Sequence, residues 1–319
     1  MTLHLACIAE GDFLRHTGAM LHSALQHTTQ RPLTVHLLHG QPYPAADSAH
    51  IRSVVEEAGA ELHLLPVTAE RAATFRDSHF PRAIWYRILL PELLPAVERV
   101  LYLDSDIIVG DDLAPLWHTP LEGNWLGAVC NPFYPFMPDY PVEALGFGSG
   151  REYFNSGVLL LDLAALRAAG AVAPLVDYAR QHPQCAYPDQ DALNVVCRGR
   201  WKPLHPRWNA QSTIFELPAQ TLPFTAEQVA QARSAPAVVH YIGPFKPWSH
   251  LCRHPLRARY FAHAAQTPWG VPAIADATLR NRILRLLPLR WIDRWMRLER
   301  LLRRPPRLRA RLRRIGARR

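Results

Sequence analysis

The sequence predicts an α/β fold followed by a basic tail, and two observations carry that prediction. First, short apolar runs alternate with stretches of helical periodicity through the early chain, the pattern of a parallel sheet covered by helices. Second, charge is unevenly placed. From Leu279 to Arg319 there are 16 Arg against Asp293 and Glu299, a net +14, whereas the preceding residues carry a net −5. The overall +9 therefore describes neither part. Such asymmetry points to an anionic partner for the tail, either a membrane surface or nucleic acid.

Leu3 to Ile8 reads as a short buried strand. Asp12 then precedes Phe13 to Gln26, where apolar residues fall at near-helical spacing. Leu33 to Leu38 is a second strand, Ala45 to Ala58 a helix and Glu61 to Leu65 a third strand. A helix is predicted around Ile84 to Leu94, before the strong strand Arg99 to Leu103 in RVLYLDSDIIV. Gly127 to Val129 and Val158 to Leu161 are further strands. After Ala210 the chain is Pro-rich and irregular until a last strand, Ala237 to Tyr241. The pattern changes again at the Arg-rich segment, so a boundary is placed near Pro268, giving domains 1–268 and 269–319.

At 319 residues and 49% hydrophobic, the chain can bury a substantial core. Five cysteines, an odd number without a CxxC pair, suggest reduced thiols in a cytoplasmic setting, with no disulfide framework or zinc site. Glu10 and Asp12 interrupt the first apolar run and no basic stretch precedes it, so no signal peptide is expected. The nearest candidate for a membrane span, Gly157 to Val176, contains Asp162 and Arg167.

Four motifs can carry chemistry. Asp104-Ser105-Asp106 follows an apolar strand, and residues i and i+2 of an extended segment point the same way. Paired carboxylates there can hold a hard divalent cation; a polar turn is the plainer reading. His240-Tyr241-Ile242-Gly243-Pro244-Phe245-Lys246 combines an imidazole that is a metal ligand or a structural group, a Gly that allows close backbone approach, and a Lys that can bind phosphate. That Lys is notable because the chain has two lysines against 34 arginines. Asn155-Ser156-Gly157 places an amide and a hydroxyl ahead of a buried strand. Asp189-Gln190-Asp191 either caps a helix or binds substrate.

In this order and spacing, LYLDSDIIV, YFNSGVLLLDL, DQDALN and HYIGPFKPW resemble the family 8 glycosyltransferases, in particular bacterial lipopolysaccharide α-galactosyl- and glucosyltransferases. The resemblance covers roughly residues 3 to 255. It implies a GT-A type, Rossmann-like nucleotide-sugar fold, a mixed sheet flanked by helices. It also implies transfer of galactose or glucose from a UDP-sugar, with retention, assisted by Mn²⁺ or Mg²⁺. Asp104, Asp106 and His240 match metal ligands; Gly243 and Lys246 match diphosphate-binding positions. Arg87, Ser105, Asn155, Ser156, Asp189 and Gln190 match donor-site groups, with Gln190 nearest the anomeric centre and Asp189 a second catalytic candidate. The Ala9 to Asp12 loop, including Glu10, matches the base and ribose pocket. His79 and Tyr187 fall at acceptor positions. Two departures stand out: the first loop reads Ala9-Glu10-Gly11-Asp12-Phe13, and Asn131 stands where relatives often carry a sugar-binding Asp.

The tail repeats apolar residues at helical spacing (Leu284, Leu287, Trp291, Trp295, Leu298, Leu302) with Arg away from the stripe's centre, and Pro288 should break it. Three readings fit such a segment: a helix lying on an anionic membrane through residues 284–319, a helix packed on the catalytic domain, and a nucleic-acid arm. The first is favoured, with no nucleic acid expected, and places the protein on the inner face of the membrane. The acceptor is expected to be a glycan or lipid-linked saccharide. The competing classes are a non-catalytic nucleotide-sugar-binding protein with a degenerate site and a tail-driven scaffold.

Overall fold

The structure is a computed structural model that describes residues 1–78, 80–134 and 142–287. His79 and the tail beyond Leu287 lie outside the described residues.

Ten strands are found among the described residues: β1 (Leu3–Ile8), β2 (Leu33–His39), β3 (Glu61–Pro66), β4 (Arg99–Leu103), β5 (Ile107–Val109), β6 (Leu126–Cys130), β7 (Phe154–Asp162), β8 (Trp201–Pro203), β9 (Ala210–Gln211) and β10 (Val238–His240). Seven form one sheet in the order β3-β2-β1-β4-β7-β6-β8, and three form a small sheet, β5-β10-β9. Helices α1 (Phe13–His27) and α2 (Ala45–Glu56) connect β1 to β2 and β2 to β3. These connections make β1, β2 and β3 parallel, and β4 joins β1 in the same sense.

Side-chain alternation builds a core on both faces of the large sheet. Leu3, Leu5, Cys7, Leu101, Leu103, Val158 and Leu160 pack on one side. Ala6, Val100, Tyr102, Leu159 and Leu161 pack on the other.

The sheet is mixed, as the family resemblance implies, and not parallel throughout as the early strand-helix alternation alone suggests: β7 runs antiparallel to both β4 and β6, an arrangement that needs no helical crossover. The helix expected over Ile84 to Leu94 is a 3₁₀ run, Arg82–Leu89, followed by a single α turn, Leu90–Leu93. Pro91 has no N–H for the Arg87 carbonyl four residues back, and the Leu90 N–H serves that carbonyl instead. The strand Arg99 to Leu103 forms with the predicted bounds, and the apolar Ile107–Val109 beyond the acids is a separate strand in the small sheet. The two acids therefore occupy the turn that carries the chain between sheets.

The chain divides into two compact units. One comprises 1–247 and 253–272; the other comprises, among the described residues, 248–252 and 273–287. The first unit retains Trp269, whose ring packs on Gly18 of α1 and whose Nε1 donates to Asp47 at 2.7 Å. A division at 268 would strip this side chain from the body. In the second unit, Asp276 accepts from the Ser249 hydroxyl and the His250 N–H, both at 2.7 Å. No described helix is long and apolar enough to cross a membrane.

Candidate active site

The ends of β1 and β4 open into a cavity of about 520 Å³. Ligands in open α/β sheets bind at this carboxyl edge. Three segments distant in sequence meet there. The Asp104–Asp106 turn leaves β4. The end of β10 is brought alongside by the register His240↔Ile107 and by the bond from the Tyr241 N–H to the Asp106 carbonyl at 3.0 Å. The helix Pro188–Val196 begins at the opposite wall.

His240 Nε2 lies 3.2 Å from Asp106 Oδ1 and 3.9 Å from Asp104 Oδ2. One ligand atom from each of Asp104, Asp106 and His240 falls within 4.8 Å of the others. Two carboxylate oxygens and an imidazole nitrogen suit a divalent cation such as Mn²⁺ or Mg²⁺. The backbone approaches closely here: a Cβ on Gly157 would lie 2.2 Å from His240 Cε1.

The charges are paired in layers. Burial pushes the Asp106 carboxyl up, but the Lys246 ammonium and His240 outweigh it and hold the group well below the usual carboxylate range. Lys246 Nζ donates to Asp106 Oδ2 and to the Tyr241 carbonyl. Arg87, 6% exposed, bridges two carboxylates, at 2.9 Å to Asp104 Oδ1 and 3.2 Å from Nε to Asp189 Oδ2. Its Nη1 donates to the Ser156 carbonyl at 2.9 Å, and its guanidinium lies 4.4 Å from the Tyr102 ring centroid. Tyr102 donates to Asp104 Oδ1 at 2.9 Å. Asp189 is buried, which raises its carboxyl despite Arg87, and it accepts from the Ser156 hydroxyl at 2.9 Å.

Gln190 is anchored from both ends of its amide. Oε1 accepts from the Ser156 N–H and from Asn155 Nδ2, each at 3.0 Å, and Nε2 donates to Tyr153 Oη at 3.0 Å. Tyr153 in turn donates to Asp191 at 2.7 Å. Asp191 also accepts from the Tyr187 N–H at 3.1 Å, which serves the N-terminus of the helix and places this acid in the fold, not in the cavity.

The cavity thus gathers Glu10, Arg87, Asp104, Ser105, Asp106, Asn155, Ser156, Tyr187, Asp189, Gln190, His240, Gly243 and Lys246. Glu10 Oε1 accepts from the Gly40 N–H at 2.6 Å. Ser105 is partly committed elsewhere, donating to the Ile8 carbonyl at 2.8 Å. Gly243 is needed for its backbone, with φ +86°. Asn131 lines the wall, and its Oδ1 accepts from Asn155 at 3.1 Å.

Two predicted residues are not brought in. Ala9 is buried, with its N–H on Leu38 and its carbonyl on Tyr43. Asp12 is exposed at the start of α1, with no side-chain cap. Sequence reasoning missed Tyr102, Tyr153 and Asn209. Tyr102 was within reach, since it stands two residues before Asp104 in LYLDSD. Asn209 lies in a Pro-rich segment without periodicity, and nothing in the sequence signals it.

The sequence pattern of Glycosyl transferase family 8 matches residues 4–252, and the chain belongs to that family. It is therefore a glycosyltransferase. It is similar to General stress protein A of Bacillus subtilis, at 29% identity over 85% of this chain and 97% of that protein. It is also similar to the Lipopolysaccharide 1,2-glucosyltransferase of Escherichia coli, at 28% identity over 68% of this chain and 66% of that one. Among solved structures, the galactosyltransferase LgtC in complex with donor and acceptor sugar analogs superimposes with a TM-score of 0.74 at 26% identity, covering 85% of this chain and 98% of that chain. The mixed sheet flanked by helices matches that GT-A fold.

Proposed function

We propose that this chain is a metal-assisted, retaining hexosyltransferase. It takes galactose or glucose from a UDP-sugar to a hydroxyl of a glycan or lipid-linked saccharide, in lipopolysaccharide or other cell-surface glycan synthesis. The convergence of Asp104, Asp106 and His240 beside Lys246 in one cavity carries this reading. Similarity to LgtC and to a lipopolysaccharide glucosyltransferase supports the substrate class.

Asp104, Asp106 and His240 would hold Mn²⁺ or Mg²⁺. When bound, such an ion supplies positive charge against a departing diphosphate. Lys246 has three donors, two of them on Asp106 and the Tyr241 carbonyl, and presents the third to a phosphate oxygen. Retention by double displacement needs a free carboxylate on the face opposite the leaving group. Gln190 is a neutral amide whose Oε1 already accepts two hydrogen bonds. Asp189 is buried and tied to Arg87 and Ser156. Front-face substitution fits these residues better. The acceptor oxygen bonds to the anomeric carbon as the carbon–phosphate oxygen bond breaks, and the acceptor proton passes to the departing phosphate. Gln190 is the glutamine lining the cavity, and a solved active-site mutant of LgtC replaces a Gln by Glu.

The segment 284–319 is proposed to hold the enzyme on the inner, anionic face of a membrane. Calorimetry with a panel of nucleotide sugars in Mn²⁺, repeated with EDTA and with Asp106→Asn, tests the catalytic reading. UDP-hexose should bind and be slowly hydrolysed only with metal and the intact acid. Equal binding in all three conditions would sink it.

A further inference from the structure

We propose that Asn209 is a positioning residue that holds His240 in its Nδ1–H tautomer, turning the Nε2 lone pair toward Asp104 and Asp106. The proposal rests on reading that cluster as a metal site.

His240 Nδ1 lies 2.9 Å from Asn209 Oδ1, both groups being buried. That distance alone does not fix the roles, because an imidazole has two neutral tautomers and an amide can be turned over. The hydrogen bonds behind Asn209 do fix them. They start from two backbone N–H groups, which can only donate. The Gly157 N–H points at Asn155 from 3.0 Å, so the Asn155 atom there is oxygen. The same atom lies 2.8 Å from Asn209, so the Asn209 atom facing it is nitrogen. The other Asn209 atom is then oxygen, and the His240 nitrogen beside it carries the proton.

A second backbone donor gives the same answer. The Ser156 N–H points at Gln190 from 3.0 Å, which makes that atom oxygen. Asn155 reaches the same oxygen at 3.0 Å and must do so with its nitrogen. Both anchors orient Asn155 alike, and through it Asn209 and His240.

With Nδ1 donating to Asn209, Nε2 is the nitrogen left facing carboxylate oxygens 3.2 and 3.9 Å away. In the neutral ring that nitrogen offers an unshared pair, and with the two carboxylates it completes the three-donor set a cation requires. Metal-binding histidines commonly donate their other N–H to an outer partner that sets tautomer and ring orientation. Here that partner is a fully buried amide (0% exposed) whose own orientation is dictated by the start of β7. The strand that carries the donor-site Asn155 and Ser156 thus also presets the metal ligand on β10.

The test begins with the metal-free full chain, followed across a pH series so that the neutral imidazole is the form read. Long-range ¹H–¹⁵N correlation spectra, with His240 assigned through His240→Gln, should show the Nδ1–H tautomer. In Asn209→Leu the signal should move to a mixture or to Nε2–H. An Nε2–H imidazole in the wild type overturns the proposal. Mn²⁺ binding followed by electron paramagnetic resonance supplies the second arm. Asn209→Leu should weaken it about 10–100-fold. Asn209→Asp keeps an acceptor for Nδ1–H while losing the donor to Asn155 Oδ1, and should recover part of that loss. Equal losses in the two variants overturn the proposal, since the acceptor would not be what matters. If Asn209→Leu does not fold, the wild-type spectrum and the Asp variant still decide. A wild type with an Nδ1–H imidazole that binds no Mn²⁺ removes the metal reading while supporting the tautomer assignment.

Discussion

Gly157 is a residue whose missing side chain is part of the site. A Cβ there would lie 2.2 Å from His240 Cε1 and 2.8 Å from Asp104 Oδ2, so any substituent moves two candidate metal ligands. Misplacement of a catalytic group by about 1 Å can cost about 100-fold in rate. Gly157→Ala should therefore fold, yet lose on the order of that factor in turnover, with weaker Mn²⁺ binding. Wild-type kinetics in this variant would mean that His240 and Asp104 do not act where they now stand. Lys246 is tested differently. A charge-assisted hydrogen bond contributes about 1.5–3 kcal/mol, so Lys246→Ala should weaken UDP binding by about 10–100-fold and leave uridine binding nearly unchanged. Saturating Mn²⁺ is needed, because the ammonium also neutralises Asp106 and its loss raises the site's affinity for cations. Parallel losses for UDP and uridine would show that Lys246 supports the pocket instead of the phosphates. These residues were legible in the sequence because their motifs are short and local. Asn209 was not, because its role arises only when the 206–209 turn meets β7 and β10.

At the scale of elements, the first three strands and two helices follow from apolar periodicity, and the structure places them within a few residues of expectation. What periodicity could not reveal was partnership. β5 follows β4 after only the Asp104–Asp106 turn, yet it pairs with β10 in another sheet. The 3₁₀ segment Arg82–Leu89 falls where the sequence predicts a helix around Ile84 to Leu94. Its distinguishing residue is Arg87, buried against the strand-end turn through Asp104 and against the helix Pro188–Val196 through Asp189. One guanidinium thus joins three elements. Removing one partner of a buried ion pair costs about 3–5 kcal/mol, because the other charge is left uncompensated. Arg87→Leu should lower stability by that order, as read from urea denaturation. The cost should shrink in Arg87→Leu combined with Asp189→Asn, which deletes one of the stranded charges. A single variant as stable as the wild type would show that Asp104 and Asp189 find other counter-charges.

For the whole molecule, the division of charge that the sequence shows at Leu279 falls inside the second compact unit, whose later segment starts at Ala273. The body that holds the cavity runs through Trp269, which Asp47 and α1 retain, so a truncation at 268 would damage α1 packing and confuse any test of the tail. A chain ending at Leu287 avoids this and removes all but three of the 16 arginines after Leu279. It should stay folded and hydrolyse UDP-hexose slowly in Mn²⁺, because every cavity-lining residue precedes that point. It should lose binding to anionic vesicles and activity on a lipid-embedded acceptor. Each Arg near an anionic surface contributes about 1 kcal/mol, so a dozen outweigh the repulsion from a body of net −5. The attraction decays over a Debye length of about 8 Å at physiological salt. Vesicle binding by the full chain should accordingly weaken as salt rises and level off where apolar insertion, not charge, holds the protein. The described start of this segment already presents Leu279, Ile283 and Leu286 to solvent at 76%, 56% and 84% exposure, beside Arg280, Arg282 and Arg285. Undiminished vesicle binding by the shortened chain would move the anchor to these residues or to the body. Unfolding of the shortened chain would instead show that the apolar stripe beyond Leu287 packs against protein, and the membrane proposal would fall.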